Sequence, residues 1–180
     1  MEGSQRDVKK AMAEMSKALG TEIPKEYEAV AEKVLRKGAN PKDSLGLTDQ
    51  MIEGIYGQAY RLYNTGKYKD AADLFRLLIM LNPTEQKYAL GMAASYHMMK
   101  EYKAAADIYT VCAMLDPVSP IPHYHASDCY IQLGDKVSAL ITLEMAIKRS
   151  EGRAEFQQLK DRATLTVESL RKEIEKPKEL

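Results

Sequence analysis

Residues 59–83, AYRLYNTGKYKDAADLFRLLIMLNP, hold a small residue, a turn glycine, an alanine, an aromatic and a closing proline at spacings that recur further along the chain. Shifted by 34 residues, the sequence lines up with itself without a gap in three segments, starting at Ile52, Gln86 and Pro120. With each start counted as position 1, position 8 is small (Ala59, Ala93, Ser127), position 20 is alanine (Ala71, Ala105, Ala139) and position 24 is large (Phe75, Tyr109, Leu143). A small residue on one helix lets a second approach closely, and the large residue fills the groove beside it. Gly66 and Gly134 fall in the turn between the two halves, where glycine takes positive φ at little cost; Lys100 stands there in the middle copy. Pro83 and Pro117 follow the second halves and stop a helix, whereas the third copy has Glu151, which leaves its second helix free to run on.

A helix-turn-helix of 34 residues is the period of the tetratricopeptide repeat. The expected fold is therefore all-α, an α-solenoid of three such repeats over residues 49–151. N-terminal helices are expected within 1–48. PKEYEAVAEKVLRK (24–37) has Pro24 in a first turn, Gly38 as a stop, and Tyr27, Val30, Ala31, Val34 and Leu35 on one face. A weaker amphipathic stretch groups Val8, Met12, Met15 and Leu19. Over 152–180, Phe156, Leu159, Ala163, Val167, Leu170 and Ile174 recur at helical spacing and suit a helix that caps the stack, ahead of a frayed EKPKEL tail.

Bulk chemistry narrows the partners. Lys plus Arg and Asp plus Glu are 26 each, so no net field recruits nucleic acid or an anionic membrane. The most apolar run, LFRLLIML (74–81), is too short to span a bilayer and carries Arg76. Without an apolar leader in its first residues, and with only Cys112 and Cys129 as cysteines, the chain reads as a cytoplasmic protein of a reducing compartment.

The stretch YGQAYRLY (56–63) bears on function. The repeat register assigns the core stripe of the first helix to Ile55, Ala59 and Leu62, at positions 4, 8 and 11. Tyr56, Tyr60 and Tyr63 sit one residue further on, about 100° around the axis, on the side that lines the hollow of a solenoid. The same positions hold Leu90, Ala94 and His97 in the second repeat, and Tyr124, Asp128 and Ile131 in the third. An uncharged concave stripe suits a bound apolar segment, with tyrosine adding area and a polar tip. The alternatives are that the chain's own terminal helix fills this groove, or that the tyrosines pack between repeats.

The chain also resembles the class II chaperones of type III secretion, which hold translocator proteins in the bacterial cytoplasm before export. Three stretches carry the likeness: GANPKDSLGLTDQMIEGIY (38–56), AYRLYNTGKYKDAADLFRLLIMLNP (59–83), and PHYHASDCYIQLGDKVSAL (122–140), with His125, Ala126, Cys129 and Gly134 in the family's pattern. The resemblance implies a chaperone whose concave groove takes an extended segment from near the N-terminus of a translocator, hydrophobic or hydrophilic. By position, that groove comprises Tyr56, Tyr60, Tyr63, Leu90, Ala94, His97, Tyr124 and Ile131, with Lys87 and Met98 at its margin. It further implies a homodimer formed through the 8–37 helices and, for some members, a role as cofactor of an AraC-type transcription activator. A general repeat scaffold is the alternative. Residues 1–23 have no counterpart in the family pattern.

Other chemistries fit poorly. A carboxylate-clamping repeat needs lysine and asparagine where this chain has Tyr56, Tyr60 and Gly91, and basic residues where it has Ile121 and His125. His125 and Cys129 share a helix face, but His123 points elsewhere and no second ligand pair accompanies them, so no metal is expected. Neither a phosphate loop nor a nucleophile motif is present, so no enzyme and no cofactor are expected. Cys112 and Cys129 read as core and partly buried structural thiols.

Overall fold

The computed structural model describes residues 41–175. The expectations for the helices within 8–37 and for the 175–180 tail therefore fall outside the described residues, apart from Glu175. Among the described residues the elements are α1 (Pro41–Ser44), α2 (Asp49–Asn64), α3 (Tyr68–Leu81), α4 (Gln86–Met98), α5 (Tyr102–Leu115), α6 (Ile121–Gln132), α7 (Lys136–Ser150), a 3-10 turn (Ala154–Phe156) and α8 (Gln157–Glu175). All are helical, as the 34-residue period requires. Among the described residues, chain contacts define two units, residues 41–54 with 80–82, and residues 55–79 with 83–175.

In the first unit, α1 closes on Gly46, whose φ of +70° ends the turn. Lys42 Nζ donates to Asp49 at 2.5 Å, and Thr48 Oγ1 accepts from the Met51 amide at 3.2 Å, capping the start of α2. Ile52 and Leu81 are buried.

The second unit is built as the repeat register predicts. Ala59, Ala71 and Phe75 are all buried, as is Ser127; Ala93 and Ala105 share a buried cluster with Tyr109, and Ala139 shares one with Leu143. Helices α4 to α8 pack each on the next in chain order. The first helix of each repeat ends in one geometry. Amides at Lys67, Glu101 and Asp135 reach back to the carbonyls of Leu62, Tyr96 and Tyr130 at 2.9 Å, around a left-handed residue. That residue is Gly66, Lys100 or Gly134, at φ +78°, +65° and +76°. Lys100 thus holds a glycine conformation at a steric cost of about 1–2 kcal/mol.

Helix α7 does not run on. It ends at Ser150, and Gly152 at φ +71° turns the chain into α8, replacing the missing proline as the terminator. The capping face of α8 forms as expected, with Ala163, Val167 and Leu170 buried against Ala139 and Leu143; Ile174 stays about half exposed. No described helix is long and apolar enough to cross a membrane.

Candidate functional site

Two neighbouring cavities open along the first helices of the second unit. One, of about 260 Å³, is lined by Tyr56, Tyr60, Tyr63, Phe75, Lys87, Leu90, Gly91 and Ala94. The other, of about 370 Å³, is lined by Tyr63, Leu90, Ala94, His97, Met98, Tyr109, Ile121 and His125. Tyr63, Leu90 and Ala94 belong to both, so the two form one continuous trough.

These cavities are one design used twice. Each takes positions 5, 9, 12 and 24 of one repeat and positions 2 and 6 of the next. The first uses Tyr56, Tyr60, Tyr63 and Phe75 with Lys87 and Gly91; the second uses Leu90, Ala94, His97 and Tyr109 with Ile121 and His125. A third cavity would need Tyr124, Asp128, Ile131 and Leu143 together with a following first helix. Helix α8 takes that place. Tyr124 and Ile131 pack with Leu143 against Ala163, Val167 and Leu170, and line neither cavity. At this end, Tyr124 and Ile131 pack on the cluster that the chain's own terminal helix completes, while the other eight residues singled out from the sequence, Lys87 and Met98 included, line the trough.

Within the first cavity the tyrosines differ in role. Tyr56 is braced by Phe75 and Tyr88, with ring centroids 6.1 and 5.8 Å away, and Lys87 Nζ lies 4.6 Å above its ring. Tyr63 meets Tyr68 edge-on at 5.5 Å, and burial pushes its hydroxyl above the usual tyrosine range. Tyr60 stacks on Tyr56 at 6.5 Å yet remains 55% exposed. Tyr56 and Tyr63 therefore tie the trough to the core, and Tyr60 offers an open aromatic face. Gly91 sets the depth. A Cβ there would lie 2.4 Å from the Phe75 ring, so only glycine lets that buried ring form the floor.

The second cavity has a polar wall. His97 Nε2 donates to Asp128 Oδ2 at 2.7 Å, and the His97 ring meets Tyr102 edge-on at 5.7 Å. His125 stacks on Tyr109 at 5.5 Å; burial, and then the nearby His97, lower its pKa, partly offset by Asp128. Burial likewise raises the Tyr109 hydroxyl. An apolar trough with Tyr and His hydrogen-bonding tips can take apolar side chains while polar groups meet a backbone.

Tyr109, Ile121, His125, Phe75 and Gly91 were not singled out from the tyrosine stripe. Position 24 is large in every copy and was open to the register, whereas position 2 (Glu53, Lys87, Ile121) and position 6 (Gly57, Gly91, His125) change character from copy to copy and gave no such signal. The thiols of Cys112 and Cys129 are wholly buried, and burial raises them to about 12 and about 11. Cys129 is thus more enclosed than the partly buried thiol expected. Among the described residues no group of three or more His, Cys, Asp or Glu is placed to hold a metal.

The tetratricopeptide-repeat profile matches residues 52–83 and 84–117. Low calcium response locus protein H of Yersinia pestis is 29% identical over 152 residues, covering 83% of this chain and 90% of that protein. Chaperone protein SicA of Salmonella typhimurium is 28% identical over 147 residues, covering 80% and 87%. The Yersinia enterocolitica type III secretion translocator chaperone SycD is structurally similar, with a TM-score of 0.69 at 28% identity over 72% of this chain and 90% of SycD. SycD has also been solved with a peptide of the translocator YopD, at a TM-score of 0.68 over 71% and 98% of the two chains, and in an alternative dimer.

Proposed function

We infer, from its similarity to the type III secretion translocator chaperones, that this chain is a class II translocator chaperone, which binds a translocator protein and keeps it soluble until export. The observation that carries the reading is the two-cavity trough, built from the same repeat positions in successive repeats and lined by apolar and aromatic side chains. An extended segment of the translocator lies along it, placing one apolar side chain in each cavity. Between them, its backbone meets polar tips at Tyr60, Tyr63 and His97. Cover over the bound segment delays its association with membranes or other translocators. Binding requires no cofactor, and no reaction is assigned.

Self-association through residues 8–37 and a cytoplasmic location belong to the same proposal. The SycD dimer supports self-association, and the two free cysteines, Cys112 and Cys129, fit a reducing compartment. Co-expression tests the function. A translocator that is insoluble alone is expected to appear in the soluble fraction with this chain and to copurify with it. A translocator that remains insoluble beside abundant soluble chaperone would overturn the reading.

A further inference from the structure

Away from the trough, a second cleft of about 590 Å³ lies between the turn after α5 and the end of α7, lined by Pro117, Val118, Met145, Lys148, Arg149 and Arg153. Three of its six residues are cations and none is an acid. The charge departs from the repeat: positions 29 and 30 are Met80 and Leu81, then Met114 and Leu115, and only in the third copy Lys148 and Arg149.

The C-terminal end of a helix favours cations by itself, and solvated side chains would satisfy that preference. Here the arginines are held. Arg149 Nε donates to the Pro117 carbonyl at 2.7 Å, and Arg153 donates to the Val118 carbonyl at 2.9 Å while its guanidinium stacks on Phe156 at 4.3 Å. Neutral carbonyls fix the guanidinium groups without neutralising them. Glu155 pairs with Arg153 at 3.1 Å, but among the described residues no carboxylate pairs with Lys148 or Arg149. The positive field reaches inward: after burial, Arg149 is the second influence lowering the pKa of His123, whose buried Nε2 has no hydrogen-bond partner among the described residues. Beside these cations Val118 is 67% exposed, with Met145 partly exposed. Fixed forks with spare donors recognise carboxylates, and an apolar lip gives a peptide side chain somewhere to rest.

We propose that this cleft is a second protein-binding site, which takes an acidic peptide segment with a carboxylate on Arg149 and Lys148 and an apolar side chain against Val118 and Met145. The apolar lip favours a peptide over a nucleic acid, whose phosphates would leave Val118 and Met145 unused. The site is independent of the translocator reading, since it shares no residue with the trough.

The test is a titration of the full chain, carrying labelled methyl groups, with a twelve-residue peptide of glutamates and leucines, followed by NMR. The Met145 and Val118 methyl signals should shift saturably, and a glutamine-for-glutamate version of the peptide should bind about tenfold more weakly or worse. Lys148→Gln with Val118→Ser removes an exposed cation and an exposed apolar group while sparing the Arg149 contact to the turn. It should weaken binding at least about fivefold with the helical signal unchanged; Arg149→Gln should do so more strongly. Unmoved Met145 and Val118 methyls, equal binding of the glutamine peptide, or an oligonucleotide that shifts the same methyls more tightly would each overturn the proposal.

Discussion

Two glycine-to-alanine changes, nominally identical, should differ in stability, one gaining and the other gaining nothing or losing. Gly57 and Gly91 both lie inside helices of the second unit, in α2 and α4. Alanine in place of helical glycine is worth about 1 kcal/mol of helix propensity. At Gly57 a new Cβ meets nothing within 4 Å, so Gly57→Ala should gain that full amount. At Gly91 the Cβ would lie 2.4 Å from two atoms of the Phe75 ring, which is buried to 2% exposure and has little room to retreat. Overpacking of this kind costs about 1–3 kcal/mol, leaving Gly91→Ala neutral to about 2 kcal/mol less stable after the propensity gain. At about 2–4 °C per kcal/mol for a chain of this size, the two variants should melt roughly 2–12 °C apart. Thermal melts followed by circular dichroism measure that gap and urea denaturation the free-energy difference of about 1–3 kcal/mol behind it, with equal m-values keeping the comparison valid. Gly91→Ala should also bind cargo more weakly, because a displaced Phe75 ring narrows the cavity it floors. A Gly91→Ala protein as stable as Gly57→Ala would refute the packing of Phe75 on Gly91, and with it the account of the first cavity's depth.

Two further outcomes follow from the same geometry. Lys100→Gly should raise the unfolding free energy by about 1 kcal/mol, since φ +65° is strained for lysine and natural for glycine; a destabilised variant in urea melts would show that the Lys100 side chain contributes what the backbone lacks. Burial holds His123 and His125 below their unfolded pKa, so the unfolded chain binds more protons as pH drops below about 6.5 and stability should fall towards pH 5. Urea midpoints measured across that range should flatten in a His123→Asn, His125→Asn variant, and an undiminished slope would assign the effect to carboxylates.

How much of this was legible depended on whether a residue's neighbour was also written into the repeat. Ala59 with Phe75, and Ala93 with Tyr109, could be paired from spacing because both partners recur every 34 residues. Lys100 could be placed in a glycine position for the same reason. Tyr124 and Ile131 could not be resolved, because what covers the last repeat is α8, which lies outside the period and follows no register. The end of α7 was open because its stop is Gly152, one residue past the place where the other repeats use proline. The cavity floors at Phe75 and Tyr109 are core residues whose edges also face the trough, a double use that a single-stripe reading does not reveal.

Tyr60 decides the central claim. It is 55% exposed and stacks only on Tyr56 among the described aromatic contacts, so Tyr60→Ala should leave the melt within about 0.5 kcal/mol of the parent. Calorimetric titration with a soluble N-terminal segment of the translocator should nevertheless show binding weakened at least about tenfold, as expected when an aromatic anchor is lost from a groove. Unchanged affinity in a folded Tyr60→Ala protein would contradict the claim that the translocator lies in this trough.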